Sequence, residues 1–120
     1  MTGAGRGLGA AFAVVLADAG AEVIMTGRNM ENLASLAGSI KLRTGKRPET
    51  LHIDMADISQ VTLTAKKMRD AGTPLDILIN NAGIAEPMAP ITDIDMKLVE
   101  DIININFRAY FTVREELSRR

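Results

Sequence analysis

Two observations predict an α/β fold with a parallel sheet for this 120-residue chain. Apolar periodicity switches repeatedly between helix-like and strand-like, with turn residues at each switch. In addition, a glycine-rich run, Thr2-Gly3-Ala4-Gly5-Arg6-Gly7-Leu8-Gly9, opens directly into the apolar helical pattern Ala10 to Leu16. The order reads helix, strand, helix, strand, helix, strand and then a long helical stretch. No linker, repeat or low-complexity segment interrupts it, so parallel strands joined by helical crossovers are the economical architecture.

The first helix is expected from about Gly7 to Ala19, stopped by Gly20 as a C′ glycine. Glu22 to Thr26 is a short, nearly continuous apolar run and reads as a buried strand. Asn29 is placed to cap a helix through about Thr44, ended by Gly45, and Leu51 to Ile53 reads as the next strand. Asp57 followed by Gln60 resembles a capping box for a helix ending near Ala71-Gly72. Asp76 to Ile79 reads as a further buried strand. From Asp93 onward, Ile94, Leu98, Ile102 and Ile105, with Ile91 before them, suggest one or two helices sharing an apolar face.

Hydrophobic residues make up 47% and charged residues 24%, an ordinary globular balance for one domain at most. The net charge of −1 and the lack of a Lys/Arg run give no electrostatic footprint for nucleic acid or an anionic membrane. With no cysteine and a lone His52, neither a disulfide framework nor a thiolate or histidine metal site can be built. The longest apolar stretch, Ala10 to Ala17, falls far below the roughly 20 residues of a spanning helix, and no signal peptide precedes it. A cytoplasmic protein is the default expectation. Aromatic residues are only 3%, and the seven methionines are scattered as core filler.

The glycine run suits a phosphate. Glycines let the backbone turn tightly and approach a pyrophosphate with no Cβ in the way, and the following helix turns its free N–H groups toward the anion. Two registers fit: Gly5-x-Gly7-x-x-Ala10, the common dinucleotide form, and the wider spacing from Gly3 through Gly9. The alternative is a turn and its helix cap.

Three further segments narrow the reading. Asp54 ends one strand, Asn80-Asn81-Ala82-Gly83 ends the next, and Asn104-Ile105-Asn106-Phe107-Arg108-Ala109-Tyr110-Phe111 lies at the junction of the last helices. In that order and spacing the chain resembles the short-chain dehydrogenase/reductase family. That family has a TG-x-x-x-G-x-G loop, an Asp near adenine, an NNAG segment and an asparagine in a [VI]-N-x-x-x-x-F context. The resemblance covers the whole chain and implies a Rossmann-type doubly wound parallel sheet. Only Met1-Thr2 precede the glycine loop, so the first, central strand is expected to be missing together with the C-terminal half. A fragment or a miscalled start is the simplest reading.

The resemblance also implies roles. Gly3, Ala4, Gly5, Arg6, Gly7 and Leu8 would wrap the pyrophosphate and adenosine ribose. Asp54 would accept from the adenine amino group, with the Met55 backbone against the ring. Asn80 and Asn81, followed by Ala82 and Gly83, would order the carboxyl edge of the sheet and touch the nicotinamide-side ribose. Beside these stand plainer readings: Asp54 as a strand-end turn former and the Asn80–Gly83 cluster as a turn. His52 is read as structural.

Cofactor preference is decided at the end of the second strand, where NAD enzymes place a carboxylate on the ribose 2′-hydroxyl. Here that place is Thr26-Gly27-Arg28. A guanidinium can pair with a 2′-phosphate through two parallel hydrogen bonds, and Arg6 can stack on adenine or add a second charge. NADP(H) is therefore favoured over NAD(H). The alternative for Arg28 is a solvated surface charge.

Family chemistry needs a serine, a tyrosine and a lysine in Y-x-x-x-K, supported by the asparagine matching Asn106. In the family that residue's backbone binds a proton-relaying water. The only tyrosine here, Tyr110, is followed four residues on by Arg114, and it is read as structural. Asn106 is then the one catalytic residue expected, with a helix-junction asparagine as its alternative.

The functional expectation is the cofactor-binding part of an oxidoreductase interconverting a small-molecule alcohol and ketone, a homo-oligomer when full length. The 120 residues alone are expected to be inert and poorly stable. A non-catalytic nucleotide-binding or pseudoenzyme fragment is the alternative, and a methyltransferase a distant third. Substrate contacts are expected in later segments, apart from the loop from Ile84 to Pro90.

Overall fold

Strands Ile24–Gly27 (β1) and Glu49–His52 (β2) pair in parallel, with Ile24 opposite Glu49 and Gly27 opposite His52. The computed structural model describes residues 1–85 and 89–119. It divides into one unit of Met1–Ile53 with Ile77–Ala82 and another of Asp54–Asp76 with Gly83–Arg120.

In the first unit, helix Gly7–Asp18 (α1) ends at Ala19, and Gly20 adopts φ 95°. Helix Met30–Thr44 (α2) starts where Asn29 accepts a hydrogen bond from the Asn32 amide at 3.0 Å. It stops at Gly45, whose φ of 77° lies in the left-handed region that glycine enters without steric cost. α1 buries Gly9, Ala13 and Ala17, four residues apart and therefore on one face. Their small side chains let the helix lie close to its neighbours. The core they join contains Ala4, Val23, Met25, Leu33, Ala37 and Ile40. Fully burying a side chain the size of Met, Leu or Ile contributes about 1.5–3 kcal/mol.

Met1 to Ala4 runs beside β1 like the tip of another strand. The Met1 ammonium donates to the Ile24 carbonyl at 2.7 Å, the Thr26 amide to Met1 O at 3.0 Å, and the Ala4 amide to Thr26 O at 3.0 Å. Residue Met1 thus brackets Met25 as in a parallel ladder. Its neighbour Thr2 faces the opposite way and donates to Ile79 O at 3.0 Å.

The expectation of a strand over Asp76 to Ile79 is corrected here. That segment is irregular, and Ile77 is 67% exposed rather than buried. A ladder needs repeated partners, and Met1-Thr2 offers Ile77–Ile79 a single backbone bond. The other strands differ only at their ends. β1 begins two residues later than its apolar run, and β2 two residues earlier, although Ile53 N–H still reaches Gly27 O at 3.1 Å.

In the second unit, helix Ile58–Asp70 (α3) packs against helix Ala109–Ser118 (α5). Val61 and Ala65 of α3, and Ala109 and Val113 of α5, are buried. Arg69 donates to Glu116 Oε2 at 2.9 Å and binds Asp70 at 3.2 Å. Before α5 come a 3-10 turn, Ile91–Asp93, helix Met96–Ile103 (α4) and a π-helical turn, Asn104–Arg108. The long helical stretch is therefore one helix with a π insertion, and Ile105 continues the buried face of Ala109 and Val113 at four-residue spacing. Ile91 does not belong to that face; it is 86% exposed in the 3-10 turn. No helix among the described residues is long and apolar enough to cross a membrane.

The buried Met1 amine gives a pH test. Desolvation lowers its pKa from the ordinary 8.0, so the fold disfavours the protonated form. Burial of that charge opposes folding fully below the lowered pKa, and the opposition fades as pH rises toward 8.0. The urea midpoint of the 120-residue chain should accordingly rise with pH over that window. A midpoint that falls there, or an amine that titrates at its ordinary value by NMR, contradicts the burial.

Candidate functional site

The glycine loop joins β1 and the segment Asn80–Ala82 in the first unit. Thr2, 3% exposed, presents Oγ1 to the amides of Asn81 and Ala82, each at 3.0 Å. The Asn81 side-chain amide donates to Thr2 O at 3.2 Å and Gly3 O at 3.0 Å. Gly3, with φ 65°, lies so close that a Cβ there would come 2.8 Å from Ala82 Cα. A Cβ on Gly9 would lie 2.1 Å from Gly3 O and 2.6 Å from Asn81 Nδ2. Neither position admits a side chain without the backbone moving.

Gly7 differs. Its φ is 56°, yet nothing lies within 4 Å of a Cβ built there. Glycine is required by the backbone conformation alone, and the space in front of it is open. Arg6 caps α1 in an extended conformation without a side-chain bond, and the first turn holds no acidic residue. The amides of Gly7, Leu8 and Gly9 precede the helix's opening bond, Ala10 N–H to Arg6 O at 3.2 Å, so they have no intrahelical acceptor. An uncapped helix start with room before it suits an anion such as pyrophosphate.

β1 ends beside this loop. A Cβ on Gly27 would lie 3.8 Å from Gly5 N, so the strand end abuts the loop, and Arg28 follows, exposed. Among the described residues no side chain pairs with the guanidinium of Arg28 or of Arg6. Asn80 is half-buried, with Oδ1 sealed from solvent and meeting no donor among the described residues.

The second unit holds the remaining expected residues. Asp54 is half-buried; its Oδ1 accepts from Ala56 N at 3.0 Å, and its own amide donates to Gln60 Oε1 at 2.6 Å. Met55 is buried. Asp57 caps α3 by accepting from the Gln60 amide at 3.0 Å, but Gln60 does not return that bond as a capping box requires; its side chain turns to Asp54 instead. Asn106 lies in the π turn and grips Ile84, the residue after exposed Gly83: Nδ2 donates to Ile84 O at 2.7 Å, and Ile84 N donates to Oδ1 at 2.9 Å. Within the loop expected to touch substrate, Ile84 to Pro90, residues 86–88 lie outside the described residues. The raised pKa of the Tyr110 phenol follows from desolvation.

A family profile described as short chain dehydrogenase matches residues 1–120. The chain belongs to the short-chain dehydrogenase family. It is 39% identical over 120 residues to gluconate 5-dehydrogenase of Gluconobacter oxydans, covering 99% of this chain and 46% of that protein. Among solved structures, a short-chain dehydrogenase of Shigella flexneri complexed with NADP superposes with a TM-score of 0.89 at 29% identity, covering 98% of this chain and 50% of that one. A Sphingobium yanoikuyae short-chain dehydrogenase in complex with NADPH gives 0.88 at 25% identity, covering 98% and 45%. The chain thus spans about half the length of the relatives it matches. Its fold is the corresponding part of the family's Rossmann-type α/β sheet.

Two residues of this chain did not stand out from the sequence. Thr2 opens the TG motif, and its place before Gly3 was the available signal for its two-amide grip. Gln60 was legible only as a cap partner.

Gly7 and Gly9 should separate on mutation. A Cβ at Gly7 meets no neighbour, so Gly7→Val should leave a folded chain, with a strain cost on the order of 1–3 kcal/mol from its left-handed backbone, while filling the anion space and abolishing dinucleotide binding. Gly9→Ala should destabilise the fold itself, because the loop carbonyl must move. Thermal melts paired with binding isotherms check both; binding retained by Gly7→Val would mean that the loop is only a turn.

Proposed function

We propose that the chain is the cofactor-binding part of an NADP(H)-dependent oxidoreductase interconverting a small-molecule alcohol and ketone. Arg28 carries this reading. It follows the strand end that abuts the glycine loop, it has no protein partner among the described residues, and no carboxylate occupies its place. A guanidinium there matches a ribose 2′-phosphate, and an Asp or Glu would repel it. The bound cofactor supplies or accepts the hydride.

The remaining roles belong to this chain's own groups. Gly3, Ala4, Gly5, Gly7 and Leu8 hold the pyrophosphate on the uncapped start of α1, and Arg6 adds positive charge beside the adenosine. Asp54 accepts from the adenine amino group, and Met55 lies against the ring. Asn80, Asn81, Ala82 and Gly83 border the nicotinamide-side ribose. Asn81 acts mainly by holding the loop, since its amide is engaged by two loop carbonyls. Asn106 is the residue proposed for proton relay. Its side chain is engaged by Ile84, so the relay would use its backbone, in a turn where the ordinary i to i+4 ladder is loosened. The gluconate dehydrogenase relative and the NADP(H)-bound structures support an alcohol–ketone reaction with this cofactor.

Dissociation constants for NADPH and NADH test the reading. The unmodified protein should favour NADPH, and Arg28→Ala should narrow the preference by about tenfold or more, since a hydrogen bond to a charged group contributes roughly 1.5–3 kcal/mol. Equal affinities before mutation would overturn it.

A further inference from the structure

We infer that Gln60 is a positioning residue for the adenine subsite, holding Asp54 so that one carboxylate oxygen faces ligand; this rests on the role proposed for Asp54. The turn from Asp54 to Gln60 is tied at both ends. Asp54 N–H donates to Gln60 Oε1 at 2.6 Å, and Gln60 N–H donates to Asp57 Oδ1 at 3.0 Å. Between them, Asp57 N–H reaches Asp54 O at 3.0 Å and Ala56 N–H reaches Asp54 Oδ1 at 3.0 Å. Asp54 Oδ2 takes no hydrogen bond among the described residues.

The chemistry follows from this division. The Ala56 amide fixes one carboxylate oxygen and thereby orients the other, which is a pure acceptor when ionised. That arrangement survives only while the Asp54 backbone stays in place, and the side chain holding its amide is Gln60. Buried Met55 and Val61 anchor the turn and the first turns of α3, so Gln60 works from a fixed base. Removing its acceptor leaves a half-buried amide without a partner, and the Asp54 backbone must turn to hydrate it. The carboxylate then loses its aim while the helix, still capped by Asp57, remains.

Adenine is recognised by its amino donor, so the test replaces that donor. Binding is measured for NADPH, for its hypoxanthine analogue, in which a carbonyl stands for the amine, and for NADH. The measurements use the unmodified protein, Gln60→Met, which keeps length but loses the acceptor, and Gln60→Glu, which keeps it. The unmodified protein should favour NADPH over the hypoxanthine analogue by about tenfold or more. Gln60→Met should reduce that ratio to about threefold or less with the NADPH-to-NADH ratio unchanged, and Gln60→Glu should restore adenine preference. An unchanged adenine ratio in Gln60→Met overturns the inference and leaves the Asp54 role standing. Collapse of both ratios overturns it in favour of a merely structural residue. An unmodified protein indifferent to the amine overturns the Asp54 role, and the Gln60 inference with it.

Discussion

The Thr2 hydroxyl, accepting from two successive amides while the Asn81 side chain returns two bonds to the same loop, is the interaction on which the first unit depends. Four hydrogen bonds cross between segments almost 80 residues apart in sequence, and all are part-buried. A hydrogen bond in such a place contributes about 0.5–1.5 kcal/mol, but leaving one of these amides unpaired costs about 1–3 kcal/mol. The asymmetry makes the arrangement close to all-or-none. It also explains why Gly3 and Gly9 must be glycines: only with both Cβ atoms absent can the two segments approach closely enough for the bonds to form.

Electrostatics at the loop is built from few charges. The chain carries one net negative charge and has no basic run, yet Arg6, at a helix start that lacks both a side-chain cap and an acidic first turn, and Arg28, one residue past the strand end beside the loop, pair with no carboxylate among the described residues. Some other cations are neutralised in pairs, among them Arg43 with Asp18, Lys46 with Glu22 and Arg69 with Glu116. The uncapped helix start, rather than total charge, places positive potential at the loop.

Much of this was legible because it is local. Asn29, Gly45, Asp57 and Gly72 act within a few residues of themselves, so the limits of α2 and α3 followed from residue type. The glycine loop was legible because glycine spacing reports backbone geometry directly. What sequence concealed is non-local. Asp76 to Ile79 has strand composition, but a strand exists through its neighbours, and here those provide one bond. The π turn at Asn104–Arg108 keeps Ile105, Ala109 and Val113 at an ordinary helical spacing, so no pattern announces the extra residue. Gln60 read as the capping-box partner of Asp57, whereas its side-chain oxygen accepts from the Asp54 amide. Asn106 stood out by its motif, but no pattern announced its two hydrogen bonds to Ile84.

The contact of Gly9 with Gly3 has a mechanical meaning. With no room for even a methyl group between the α1 backbone and the Gly3 carbonyl, the loop and the helix start move as one piece. The loop backbone therefore has little room to swing aside while α1 stays docked on its core of small residues. Under the proposed function, a bound pyrophosphate would rest on a floor that loop and helix form together.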